Sequence, residues 1–228
     1  EQIKDEVAKV CDLIFDTYKD FGITDYRCVL SLRDPADKEK YHDDDEMWNT
    51  AENALREVLN ELKLDYTEEI GEAAFYGPKL DVNVKPAVGA EYTLSTCQLD
   101  FCLPAKFNLV YIDKENRERT PVVIHRAIYG SLERFIGIII ENYKGAFPFW
   151  LSPYQVGIVP IRTEHNEYAK KLEEKLKAAG IRVEADYADK NMNEKIKVYK
   201  TLKDPYIVVV GDKEVAEDTV SVTVRGQK

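Results

Sequence analysis

Side chains that bind anions and metal ions are concentrated in one segment of this sequence, residues 121–136. The apolar run 122–124 predicts a buried strand, and His125 follows it directly. A helix is expected to begin near Ser131 with Arg134 in its first turn, where a permanently charged, planar guanidinium suits phosphate or adenine recognition. A histidine at a strand end is a candidate metal ligand, although a lone histidine on an apolar strand is more often a hydrogen-bonded core residue.

A tight turn just before another strand carries two further polar groups. Gly77 and Pro78 fix the backbone, so Tyr76 and Lys79 are expected to be held rigidly. This segment is either an ordinary hairpin turn with a surface lysine, or a phenol and an ammonium placed to orient a small amphoteric ligand.

Residues 95–101 alternate strictly between polar and apolar side chains, which is typical of a strand. Thr96, Gln98 and Asp100 share the polar face. A polar face in the middle of a sheet is either exposed to solvent or forms the floor of a site, and alternation alone leaves both readings open.

The elements that would position these residues form an α+β region followed by an α/β region. In the first region, helices are expected at 1–20, 47–62 and 130–143, and strands at 27–32, 66–70, 79–84, 92–101 and 108–111. Because these strands follow one another with short connections, they favour an antiparallel sheet. In the second region, strands at 156–161, 181–185, 206–210 and 219–224 alternate with helices at 164–179 and 193–202. This alternation favours a parallel or mixed sheet with helices on its faces.

Composition limits the classes of partner and compartment. The net charge is −10, and residues 1–72 carry 21 acidic and 9 basic side chains, so nucleic acid is not expected to dock there. Residues 73–228, with 21 acidic and 23 basic side chains, permit such a partner. No transmembrane run and no signal peptide are recognisable. The four cysteines are expected to be free, buried thiols of a cytoplasmic protein.

Several segments together resemble the threonyl-tRNA synthetase family of class II aminoacyl-tRNA synthetases. In order and spacing they are FYGPK (75–79), STCQLDF (95–101), VIHR (123–126), GSLERFIG (130–137) and GDKEV (211–215). The resemblance implies that residues 1–150 are the C-terminal part of a class II catalytic domain containing motif 3. It implies that residues 154–228 are an anticodon-binding domain that lacks its last helix.

The resemblance also implies an activity: ATP-dependent activation of threonine and its transfer to tRNA(Thr), as a homodimer in the cytoplasm, with Mg²⁺ accompanying ATP. It assigns roles residue by residue. Arg134 and Lys79 would be catalytic, and His125 would be one of three Zn²⁺ ligands. The substrate- and ATP-binding residues would be Tyr76, Thr96, Gln98 and Ser131, and the anticodon-binding residues would be Glu214 and Arg225.

This sequence also departs from the family pattern. The motif 2 arginine, the other two zinc ligands and the editing domain are absent, so we expect a fragment of a longer enzyme that is inactive alone. A family arginine that contacts the anticodon aligns with Thr223, and Arg225 is the expected substitute on the same strand face. The alternatives are a non-catalytic, synthetase-like tRNA-binding or regulatory protein, or another class II synthetase such as the prolyl or seryl enzyme.

Overall fold

The computed structural model describes residues 2–86 and 89–227, which form two compact units. The first unit ends at Asn142 and the second begins at Tyr143. The bounds expected from the sequence, 1–150 and 154–228, stay a prediction. No helix in the described ranges is long and apolar enough to cross a membrane.

The described residues of the first unit form four helices, a five-stranded sheet and a small hairpin. Its elements are α1 (Ile3–Asp20), β1 (Tyr26–Leu32), α2 (Asp45–Glu61), β2 (Tyr66–Ile70), β3 (Lys79–Val84), β4 (Tyr92–Asp100), α3 (Cys102–Lys106), β5 (Tyr111–Ile112), β6 (Glu118–Arg119), β7 (Val123–Ala127) and α4 (Leu132–Tyr143). Helix α2 begins where Asp44 accepts a hydrogen bond from the Met47 amide at 2.9 Å. The acidic run at 43–46 therefore caps this helix and places carboxylates in its first turn, where the helix dipole favours negative charge.

The large sheet has the strand order β2-β1-β3-β4-β7. The three pairings from β1 to β7 are antiparallel, as predicted. Strand β2 differs because it pairs parallel to β1. Helix α2 lies between β1 and β2 in the chain, and a connection of that length allows a parallel crossover.

Two local predictions in this unit were wrong. Residues 108–110 are not a strand: Asn108 has a left-handed backbone with φ 51°, and only Tyr111 and Ile112 pair with β6. Helix α3, which was not predicted, precedes them and tolerates Pro104 because the first turn of a helix needs no hydrogen bond from that position. Strand β7 is longer than expected and only half buried, since it lies at the edge of the sheet.

The second unit is the mixed α/β sheet that the sequence predicts. Its elements are β8 (Val156–Pro160), a 3-10 turn (Thr163–His165), α5 (Asn166–Ala178), β9 (Val183–Ala185), α6 (Met192–Leu202), β10 (Tyr206–Val210), α7 (Asp212–Glu217) and β11 (Ser221–Val224). The strand order is β11-β10-β8-β9, with only β11 antiparallel to its neighbour. A Cβ at Gly157 would lie 2.5 Å from the Tyr199 ring, so only glycine lets α6 approach β8 this closely.

Candidate active site

Four polar residues lie side by side across the large sheet. Ser31 is opposite Lys79, Lys79 is opposite Gln98, and Gln98 is opposite His125. Directly paired residues in neighbouring strands point to the same face, so these side chains form one polar row. The exposed fraction rises along the row, from 1% for Ser31 to 20% for the Lys79 side chain and 42% for the His125 side chain. The polar row therefore runs from the protein interior to an accessible edge.

Tyr76 lies beside the exposed half of the polar row. Its hydroxyl donates to Gln98 Oε1 at 2.5 Å, and its ring centroid is 5.4 Å from that of His125. The turn that holds it requires Gly77, because a Cβ there would lie 1.8 Å from the Leu99 carbonyl oxygen. Burial, helped by the Asp100 charge, raises the pKa of Tyr76, so its phenol stays protonated and able to donate. The expectation that this turn holds Tyr76 rigidly agrees with the contacts.

Asp81 fixes the ammonium of Lys79. The carboxylate is 5% exposed, and its Oδ2 lies 2.7 Å from Lys79 Nζ and accepts from Ser31 Oγ at 2.8 Å. Its Oδ1 is buried without a partner among the described residues. Asp81 was not predicted as a site residue, although polar residues at 79, 81 and 83 alternate along β3 in the same way as those along β4.

Asp100 is completely buried and binds His125. Its Oδ2 lies 2.8 Å from His125 Nε2, while its Oδ1 accepts from the amides of Cys102 and Leu103 at 3.0 and 2.9 Å. The alternation of β4 places Asp100 on the polar face, but it does not reveal that the following helix covers it.

The other predicted residues of this unit are less closely associated with the row. Thr96 lies two residues before Gln98 on β4, paired with Asp81 and Ala127. Arg134 is exposed, and its guanidinium carbon is 5.1 Å from the Tyr92 ring centroid. Ser131 Oγ accepts from the Arg134 amide at 3.3 Å. No contact described for these residues joins Arg134 or Ser131 to the polar row.

The predicted anticodon residues are both bonded within the second unit. Glu214 accepts from the Gly211 amide at 2.9 Å and from Ser221 Oγ at 2.6 Å, and these hydrogen bonds lower its pKa. Arg225 lies just beyond the end of β11, and its guanidinium donates to the carbonyl oxygens of Lys203, Ala146 and Phe147. That Arg225 takes the place of Thr223 in contacting the anticodon stays a prediction.

His165 falls within the helix expected at 164–179, but it lies in the 3-10 turn before α5 and is 3% exposed. Its Nδ1 accepts from the Arg162 amide at 3.1 Å, and its Nε2 lies 3.0 Å from Asp212 Oδ1. With Glu164, these two form a group of three possible metal ligands found in the described ranges. Because both ring nitrogens already have partners, this histidine serves the local fold.

The His125 site offers a metal ion a single ligand from this chain. Its Nδ1 has no hydrogen bond among those described, so the ring can bind a metal through that atom. The four cysteines are free and buried, as predicted, and burial raises the pKa of Cys97 to about 12, which keeps that thiol neutral. The chain therefore fits a zinc site only in part, and two further protein ligands would have to come from other residues.

Comparison with known families defines the class of protein. Residues 1–143 match the model of the tRNA synthetase class II core domain (G, H, P, S and T), and residues 155–228 match the anticodon binding domain. The chain belongs to the class II tRNA synthetase family.

Highly similar relatives of this chain are threonine-specific members of this class. The chain is 53% identical over its whole length to the threonine–tRNA ligase of Geobacillus kaustophilus strain HTA426, and 52% identical to that of Staphylococcus aureus strain Newman. It spans 35% and 36% of those two relatives, about one third of their length. A crystal structure of the RNA binding domain of threonyl-tRNA synthetase from Cryptosporidium parvum Iowa II matches with a TM-score of 0.90 and 38% identity, covering 99% of this chain and 56% of that one. The resemblance inferred from the motifs is confirmed.

Proposed function

We propose that this chain is part of a threonine–tRNA ligase, which forms threonyl-adenylate from threonine and ATP and transfers the threonyl group to tRNA(Thr). The observation that carries the proposal is the polar row with Tyr76 beside it. An ammonium, an amide, a phenol and a half-exposed imidazole on one sheet face suit a small ligand that has a carboxylate, an amine and a hydroxyl.

Selection of threonine over valine is the main demand on such a site. The two amino acids are nearly isosteric, and an apolar pocket separates such pairs by only about a hundredfold. Tyr76, Thr96 and Gln98 would bind threonine through hydrogen bonds, and His125 would hold Zn²⁺ together with two ligands outside this chain. When bound there, zinc would supply a Lewis acid that favours threonine, which carries a hydroxyl beside its amine, over valine, which lacks the hydroxyl.

Adenylate formation joins the threonine carboxylate oxygen to the α-phosphorus of ATP and releases diphosphate. The work of the protein is positioning and charge stabilisation. Lys79, fixed by Asp81, supplies positive charge near the reacting groups, while Arg134 and Ser131 would bind ATP, which arrives with Mg²⁺.

The second unit would bind the anticodon of tRNA(Thr). Glu214 is the proposed reader, since its carboxylate is held by two hydrogen bonds and presents a fixed acceptor. Arg225 would contact RNA by exchanging part of its bonding to backbone carbonyls. The intact enzyme is proposed to be a cytoplasmic homodimer.

Diphosphate exchange tests the proposal directly. The natural full-length protein that contains this chain is incubated with ATP, labelled diphosphate and threonine, serine, valine or proline in turn. We expect exchange with threonine, weaker exchange with serine, and none with valine or proline. A folded, zinc-loaded protein that exchanges with none of them would contradict the proposal and favour a non-catalytic relative that binds tRNA.

A further inference from the structure

The two oxygens of Asp100 serve two different structures. Oδ1 accepts from two backbone amides at the start of α3, and Oδ2 faces His125 Nε2. The residue is fully buried, whereas the imidazole that it holds is 42% exposed. A carboxylate fixed at one oxygen by a helix start has no freedom to follow the histidine, so it sets the position of the ring.

The same contact selects the tautomer of His125. A carboxylate oxygen accepts hydrogen bonds, so Nε2 must carry the proton. The lone pair is then on Nδ1, and only a nitrogen with a free lone pair can bind a metal ion.

We propose that Asp100 is a positioning residue that keeps His125 in the Nε2–H tautomer and aims its Nδ1 at the metal position. This inference rests on the proposed function, because it assumes that His125 binds zinc. It adds a residue that acts through the ligand and touches neither zinc nor substrate.

Asp100→Asn separates the two tasks of the residue. The asparagine oxygen can still accept from the amides of Cys102 and Leu103, since asparagine is a good N-cap. Its amide nitrogen would then face His125 and donate to Nε2, which moves the ring proton to Nδ1. Turning the amide the other way would set its hydrogens against two backbone N–H groups, so the variant cannot meet both demands.

The measurement is zinc affinity of the full-length protein by competition with a chelator, with the unfolding temperature recorded in parallel. We expect Asp100→Asn to weaken zinc binding by about 10- to 100-fold while the unfolding temperature stays within a few degrees of the wild type. Asp44→Asn is the matched control, because Asp44 caps α2 in the same unit and its bond goes to a backbone amide. That variant should bind zinc as the wild type does. Unchanged zinc affinity in a folded Asp100→Asn protein would overturn the inference.

A second readout distinguishes this inference from the proposed function. In zinc-free protein labelled with ¹⁵N-histidine, the His125 resonance should report the Nε2–H tautomer in the wild type and the Nδ1–H tautomer in Asp100→Asn. If the wild type shows Nδ1–H, the inference is wrong even if the enzyme activates threonine. If the tautomers are as expected but the wild type neither binds zinc nor exchanges with threonine, the proposed function fails, and with it the zinc-directed role of Asp100.

Discussion

Each unit of this protein contains one histidine bonded to one aspartate, and the two pairs are built in opposite ways. In the first unit, Asp100 is buried and the His125 side chain is 42% exposed. In the second unit, the His165 side chain is 4% exposed and the Asp212 side chain is 78% exposed. The Nε2–oxygen distances are similar, 2.8 and 3.0 Å. The same contact therefore leaves an imidazole accessible to solvent in one place and fixes a loop in the other.

The second ring nitrogen decides between these roles. His165 Nδ1 accepts from the Arg162 amide while its Nε2 contacts Asp212, so this ring ties the loop after β8 to the start of α7. His125 Nδ1 has no such partner among the described contacts. A histidine that could bind a metal is therefore distinguished by its free nitrogen and not by the presence of a carboxylate.

The largest effect on activity is expected at a lysine. Each unit also has one lysine that can be compared, one accessible and one buried. Lys79 lies partly exposed on the polar row, whereas Lys195 is 2% exposed and donates to the Pro160 carbonyl at 3.0 Å. We expect Lys79→Met to lower threonine-dependent diphosphate exchange by about 10²- to 10³-fold, because it removes charge near the reacting phosphate.

Lys195→Met is the matched variant for that experiment. It should reduce the free energy of unfolding and leave the exchange rate of the folded enzyme unchanged. Equal losses of exchange in the two variants would show that the polar row has no special part in catalysis.

The second prediction concerns stability of the second unit. His165→Ala should lower the free energy of unfolding by about 1–3 kcal/mol, because the Arg162 amide loses its acceptor and a buried ring is removed. Urea unfolding followed by fluorescence measures this change. His42→Ala, which alters a half-buried imidazole in the 42–46 segment, is the comparison variant. A larger loss for His42→Ala would contradict the structural role given to His165.

The third and smallest prediction concerns the pH dependence of stability and a buried carboxylate that has no histidine partner. Asp204 Oδ2 is buried without a partner among the described residues, and burial raises the pKa of this group from 3.8 to about 6. Because the folded state holds the proton more tightly than the unfolded state, stability is lost as pH rises from about 4 to 6. Asp204→Asn should therefore stabilise the protein by about 1–2 kcal/mol at pH 7 and have little effect at pH 4.

Urea titrations of the wild type and Asp204→Asn at these two pH values check this dependence. An equal effect of the substitution at both values would show that Asp204 titrates normally. The two oxygens of Asp100 have three hydrogen-bond partners, whereas Asp204 Oδ2 has none among the described residues.

The sequence predicts the elements far better than it predicts which side chains are enclosed by them. Apolar spacing is sufficient to locate α1, α4 and the strands of both sheets, because each follows one period. It fails for His165, since a histidine just before a helical pattern gives no sign that a loop will cover it. Asp100 was placed on the polar face of its strand, but its burial was not predicted, because that burial depends on α3, which the pattern does not reveal.

The candidate site was partly predictable because it depends on cross-strand register. Tyr76, Gln98 and His125 come from segments 22 and 27 residues apart in numbering, and the antiparallel pairing of β4 with β7 brings them together. Arg134 and Ser131 were predicted from the resemblance, and no described contact links them to the polar row. Their roles stay proposals.

The most direct test compares the two histidine–aspartate pairs. It measures the zinc content of two histidine variants of the full-length protein. His125→Ala and His165→Ala are purified, dialysed against limiting zinc and assayed by metal analysis. The account predicts that His125→Ala loses bound zinc and threonine-dependent exchange, while folded His165→Ala retains both. Full zinc content in His125→Ala, or loss of zinc only in His165→Ala, would contradict it.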